Sequence, residues 1–180
     1  MNREEDVAIE IVPIAVEHVE GFREALDLVA RERRYILTLE APPLESVRAF
    51  VLRNIAEDRA QFVALAAGKV VGWCDVLPKE RESQSHCGSL GMAVLPDFRG
   101  RGIGTRLLAA TLQKVWARGL VRVELGAYAN NLRAIALYEK HGFKREGVAR
   151  ATVKIDGRYI DEVRMAIVDA AKIEGERVQR

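Results

Sequence analysis

Residues 99–105 read Arg99-Gly100-Arg101-Gly102-Ile103-Gly104-Thr105. The three glycines alternate between the end of an apolar stretch and the start of a strongly helical pattern. A helix N-terminus presents unpaired backbone N–H groups and the positive end of the macrodipole. Glycine lets that backbone close on an anion with no Cβ in the way. Arg99 and Arg101 add positive charge and forked donors suited to phosphate oxygens, and Thr105 adds a hydroxyl. The pattern predicts a cradle for a diphosphate. A plain strand-to-helix turn with solvated arginines is the competing reading, but it has little need of three alternating glycines.

The neighbouring residues narrow the choice of diphosphate. A P-loop ends in Gly-Lys-Ser/Thr, whereas Gly104 here is followed directly by Thr105. The dinucleotide fingerprint needs a third glycine three residues after the second, and Thr105 stands there. Pro96-Asp97-Phe98 also separates the strand from the glycines. Glu124, about 20 residues past the loop, keeps the dinucleotide reading open, because a ribose-binding acid would sit there. Two more residues stand out downstream. Asn131 and Tyr138 lie two helical turns apart and so share one helix face. Asn131 suits a helix N-cap, a ligand donor, or both. Tyr138 is either a core tyrosine or a site hydroxyl. Glu124 is either a structural strand residue or a site carboxylate. Leu137, Ile135 and Phe143 read as core, and His141 as a surface residue favoured by a helix C-terminus.

These residues need elements to position them. Val7–Ile14 alternates like a strand, and Glu17–Tyr35 carries Val19, Phe22, Leu26 and Val29 at helical spacing. Ala41-Pro42-Pro43 breaks the chain before a second helix, Leu44–Asp58. Gln61–Ala66, Val70–Leu77 and Cys87–Leu95 then form an antiparallel meander. The glycine loop leads into a helix, Gly102–Arg118, closed by Gly119. A strand at Val121–Ala127, a helix from Asn131 to Lys140, and a hairpin of Phe143–Ile155 and Arg158–Val168 about Asp156-Gly157 complete the order. The expected fold is α/β (α+β): a mixed, mainly antiparallel sheet of about seven strands flanked by about four helices.

With 180 residues, 49% hydrophobic and 30% charged, the chain can bury a real core. One domain over 1–180 is expected, with frayed tails at 1–6 and 170–180. A net charge of +2 gives no global basic field, so no nucleic-acid partner is expected and anion binding is local. No apolar run reaches the roughly 18 residues of a membrane span. No secretory leader pattern opens the chain, and a cytoplasmic location is expected. Cys74 and Cys87 lack metal or redox spacing and read as reduced thiols in or near the core; no metal is expected.

The stretch from Val94 to Leu108 resembles the coenzyme-binding motif of the GNAT acetyltransferase superfamily: Arg or Gln, two residues, Gly, one residue, Gly or Ala, here Arg99, Gly102 and Gly104. Asn131 to Phe143 resembles a second motif of that superfamily. The resemblance implies a GNAT domain whose fourth and fifth strands splay apart to admit acetyl-CoA as cosubstrate. It implies that Met92, Ala93 and Val94 pair through their backbone with pantetheine. Gly100, Arg101, Gly102, Ile103, Gly104 and Thr105, with Arg99, would hold the pyrophosphate. Asn131 would bond the pantetheine arm, and Tyr138 would lie near the thioester sulfur.

The implied reaction is direct acetyl transfer to a primary amine through a ternary complex. It needs a neutral amine, a donor to the oxyanion and a proton donor to the leaving thiolate. Tyr138 is the expected acid. The strand before the loop, where many relatives carry a glutamate, has no carboxylate, so Glu124 is the expected base. Asp75, His86 and a water chain are the lesser candidates. The resemblance puts the acceptor among residues 25–40 and 149–161. There Arg31, Arg33, Arg34, Arg150, Lys154 and Arg158 outnumber Glu32, Glu40, Asp156 and Asp161, as suits an anionic small amine or an ordinary solvated surface. The hairpin from Asp156 to Asp161 looks like that of members acting on amino acids or similar small amines. The motif stretch also resembles enzymes acetylating ribosomal-protein N-termini. A non-catalytic acyl-CoA-binding or dinucleotide-binding protein stays open as an alternative, as does a homodimer.

Overall fold

A computed structural model describes residues 7–174. Seven strands form one sheet: β1 Ile9–Pro13, β2 Ala60–Ala66, β3 Lys69–Pro78, β4 Cys87–Val94, β5 Arg122–Tyr128, β6 Lys144–Ile155 and β7 Arg158–Val168. Their spatial order is β1-β2-β3-β4-β5-β7-β6. Every pairing is antiparallel except β4 with β5. Five helices flank the sheet: α1 Val19–Arg31, α2 Leu44–Ala56, α3 Ile103–Ala117, α4 Leu132–Lys140 and the short α5 Ala170–Ile173. Neither tail is fully within reach of the expectation of fraying, since 1–6 and 175–180 lie outside the described residues. Residues 170–173, expected to fray, form α5, and the Lys172 ammonium donates to the Trp116 carbonyl at 2.7 Å.

The alternation of β-strands sorts side chains onto two faces. Val71, Cys74, Val76, Val123, Leu125, Val163 and Met165 pack against α3 and α4. Val63, Val70 and Trp73 pack against α1 and α2, where Phe22 meets the Trp73 ring edge-on at 5.6 Å. Both cysteines are buried free thiols. Among the described residues, no helix is long and apolar enough to cross a membrane.

Two local departures matter for the site. First, β4 and β5 pair over only three positions, Cys87↔Arg122, Gly88↔Val123 and Ser89↔Glu124, and then diverge. Where they meet, a Cβ on Gly88 would lie 2.4 Å from Val76 and 2.8 Å from Leu120, so only glycine fits this junction. Second, α1 stops at Arg31, not at Tyr35 as its periodicity predicts. The apolar spacing ends at Val29, and Arg33 turns left-handed at φ 55°. Residues 32–43 therefore form a loop, free to reach across the sheet.

Candidate active site

The divergence of β4 and β5 opens a cavity of about 1080 Å³. One side of it is built largely from backbone. Beyond Ser89, the edge of β4 that faces β5 has no strand partner. Gly100 and Gly102 adopt left-handed φ of 84° and 74°, which turns the chain into α3 without Cβ strain. No side chain caps α3 and no acid stands in its first turn, so its leading N–H groups face the cavity unopposed. A Cβ at Gly102 would meet nothing within 4 Å, whereas one at Gly104 would come 3.2 Å from Leu137. Gly100, Gly102, Ile103, Gly104 and Thr105 all line the cavity, as do Met92, Ala93 and Val94.

The arginines of the loop are used differently from their sequence reading. Arg99 Nε donates to the Val94 carbonyl at 2.7 Å, and its two terminal nitrogens fork onto Glu32. The Tyr35 ring stacks beneath its guanidinium at 4.7 Å. Three of its five N–H donors are thus used within the protein, and Arg99 still lines the cavity. Arg101 lies against the Phe98 ring and does not line the cavity. Arg133 is the cation that approaches the cradle, 3.2 Å from where a Gly100 Cβ would stand. Its position was not legible because α4 brings it back from 30 residues downstream. Asn131 caps α4 by accepting from the Ala134 N–H at 3.2 Å, and it also lines the cavity.

The opposite side is built from side chains. The 32–43 loop is fastened there at four places. Glu32 and Tyr35 hold Arg99; Arg33 pairs with Asp156 at 2.8 Å; the Ile36 carbonyl accepts from the Tyr128 hydroxyl at 2.9 Å; and Leu39 packs on Val153 and Ile155. The basic residues expected to face an acceptor lie outside the lining of this cavity. Arg31 pairs with Asp27 and Glu40, Arg33 with Asp156, and Arg34 lies by Tyr35; none of them, nor Arg150, Lys154 or Arg158, lines the cavity. Lys79, Arg122 and Arg164 line it instead.

The ionisable groups divide accordingly. Tyr138 is buried on the α3–α4 side, lines the cavity, and has no hydrogen-bond partner for its hydroxyl among the described residues. Burial pushes its phenol well above the ordinary tyrosine range. Glu124 lines the cavity at the end of the β4–β5 junction. Its carboxylate is bonded by Lys79 at 2.7 Å and by Arg122 at 3.2 Å, and these hold it below the usual carboxylate range. Asp75 is pushed up to about 7 by burial, but it lies behind Gly91 and does not line the cavity. His86 does not line it either. Glu162, which sequence reasoning passed over, does: it is 4% exposed and reaches over Gly126. Among the described residues, no cluster of His, Cys, Asp and Glu could hold a metal ion.

A model of the Acetyltransferase (GNAT) family matches residues 24–143. The chain belongs to this family. Over 110 residues it is 32% identical to the L-amino acid N-acetyltransferase AaaT of Escherichia coli (strain K12), covering 60% of this chain and 67% of that protein. Over 76 residues it is 37% identical to the ribosomal protein bS18-alanine N-acetyltransferase of Salmonella typhimurium, covering 42% of this chain and 51% of that one. The chain thus spans about half to two thirds of the length of these curated relatives. In fold it resembles yncA of Salmonella typhimurium, solved with its cofactor acetyl-CoA: TM-score 0.86, 16% identity, 96% of this chain and 98% of that one. The GNAT resemblance read from the two motifs and the mixed seven-stranded sheet both hold. The GNAT match ends at Phe143, before β6 and β7, so it takes in the glycine cradle and Tyr138 but not Glu162 or Arg164.

Proposed function

We propose that this GNAT chain transfers acetyl from acetyl-CoA to the primary amine of a small molecule by direct attack in a ternary complex. The observation that carries the reading is the continuous cavity through the β4–β5 divergence, with a backbone cradle on one side and a roofed, charged chamber on the other. The residues fit the coenzyme. An unpaired strand edge suits an extended pantetheine amide chain, and an uncapped helix start with left-handed glycines suits a diphosphate. Bound there, acetyl-CoA supplies an activated acyl carbon. Met92, Ala93 and Val94 pair with the arm, though the Val94 carbonyl already serves Arg99. Residues 100–105 hold the pyrophosphate through their N–H groups, with Arg133 as the added cation. The Asn131 side-chain oxygen caps α4, which leaves its amide N–H groups to donate to the arm.

A backbone N–H at 92–94 stabilises the oxyanion. Tyr138 donates a hydrogen bond to the leaving sulfur. A buried phenol holds its proton more tightly than a thiol of pKa about 8.5, so it stabilises the thiolate without surrendering that proton. Glu124, tied to two cations, is a weak base and an anchor for Lys79 and Arg122. A small amine is favoured over a protein N-terminus because the Arg33–Asp156 pair and the Leu39 contacts close the roof onto the hairpin. The likeness to AaaT supports an amino acid as that amine. Calorimetry tests the coenzyme: acetyl-CoA and CoA bind and NAD does not. Binding of NAD alone would overturn the reading.

A further inference from the structure

The buried polar or charged residues among those described are Asn54, Gln61, Asp75, Thr111 and Glu162. Only Glu162 of these lines the cavity. Its place follows from strand register. On β7, Val163, Met165 and Ile167 face α3 and α4, so Glu162 and Arg164 face the roofed side. On β5, Glu124, Gly126 and Tyr128 face the same side, and Tyr128 stands directly opposite Glu162. Gly126 lies one pleat repeat beyond Glu124, the last residue of β5 to pair with β4, and so in the mouth of the divergence. A Cβ there would come within 2.8 Å of Glu162 Oε1. The missing side chain is what lets the carboxylate lie over the opening. Tyr138 faces the same opening from the other side of the sheet.

The other carboxylates of the cavity are less free. Glu124 is held by Lys79 and Arg122, and Glu146 by both terminal nitrogens of Arg122 at 2.7 and 2.6 Å. Among the described residues Glu162 has one ionic partner, Arg164 at 2.9 Å, whose own side chain is 52% exposed and can turn to solvent or to a ligand anion.

We propose that Glu162 is the catalytic base that takes the acceptor amine's proton, and that Gly126 is the positioning residue that gives its carboxylate access. This rests on the acetyl-transfer reading above. The amine lone pair forms the C–N bond to the acetyl carbon, and the nitrogen's proton passes to Glu162. The C–S bond breaks with its electron pair on sulfur, which leaves as thiolate bonded by the Tyr138 hydroxyl. Water then returns a proton to the thiolate and removes the one on Glu162. A carboxylate seated among the groups of one strand pair also suits an ammonium group before it loses its proton, and Arg164 beside it suits a carboxylate on the same acceptor.

The test compares wild type, Glu162→Gln, Gly126→Ala and the double variant. kcat/KM is measured for one accepted amino acid and for its amide, whose amine has the lower pKa, beside calorimetry with acetyl-CoA. Glu162→Gln is expected to lose roughly 10²–10⁴-fold in kcat/KM, less with the amide, with an unchanged acetyl-CoA Kd. Gly126→Ala is expected to lose about tenfold or more by displacing the carboxylate. The double variant should be no worse than Glu162→Gln alone, because both changes act on one group. Activity of Glu162→Gln within about threefold of wild type overturns the assignment, as does an additive double variant. If Glu162→Gln fails to fold, Gly126→Ala decides: a loss of kcat with unchanged coenzyme binding supports the proposal, and full activity overturns it. A wild type that acetylates no amine removes the acetyl-transfer reading itself, which is a different failure.

Discussion

The two sides of the cavity are made of different material. The side proposed for the coenzyme is backbone: glycines with left-handed φ, an uncapped helix start and an unpaired strand edge. The side proposed for the acceptor is side chains drawn from distant places: Tyr35 and its loop, Tyr128 on β5, Glu162 and Arg164 on β7. Backbone recognition needs few residue types at fixed spacing, so it is written locally. Side-chain recognition needs only that a group arrive, so almost any spacing will serve. Arg99 joins the sides. It braces the end of β4 through the Val94 carbonyl and holds the roof through Glu32 and Tyr35.

Substitutions can separate the two sides. Gly102→Val places a branched side chain at a left-handed φ and in the cradle. Acetyl-CoA Kd by calorimetry should rise about 100-fold, while the KM for the amine at saturating coenzyme stays put. Equal losses for both substrates would dissolve the distinction. Tyr138→Phe should lower kcat by about 10- to 100-fold with little change in either binding constant, read by steady-state kinetics. Arg99→Ala should affect both sides at once. It leaves Glu32 unpaired, so urea unfolding should show a loss of about 1–3 kcal/mol, and both Kd for acetyl-CoA and KM for the amine should rise a few-fold.

Asp75→Asn has the smallest effect on activity and touches neither side. Burial raises the Asp75 carboxyl from 3.8 to about 7, so the folded state binds more protons than the unfolded one between those values. The stability of wild type is therefore fully retained below about pH 4 and falls as pH rises through about 7. The variant should melt above wild type at pH 8, and the gap should close toward pH 4, with kinetics unchanged. A gap that widens toward low pH would reverse the sign and place Asp75 in an ion pair.

Much of the fold was legible because its punctuation is local. Asp156-Gly157 makes its hairpin with both residues at positive φ, and Gly119 ends α3 at φ 87°. The glycine cradle was legible for the same reason. The end of α1 was not, because Glu32, Arg33 and Arg34 fit a solvated helix face as well as they fit a loop. The loop that follows the helix is held by tertiary partners, Arg99 and Asp156, lying 67 and 123 residues away. The same distant pairings engage Arg99 and Arg33, whose local sequence gives no sign of them. Glu162 left one signal in the sequence: it alternates with Val163 and Met165, so it must lie opposite the apolar face. Nothing near it says that this opposite face is roofed.

The most direct measurement is the release of CoA thiol from acetyl-CoA in the presence of a panel of amines. The panel spans α-amino acids, other small amines and an alanine-initiated peptide. Thiol release is expected to depend on a small amine, with one acetyl group found by mass on that amine for each thiol released. Release only with the peptide would contradict the small-acceptor reading, and acetyl-CoA binding with no amine-dependent release would contradict catalysis altogether.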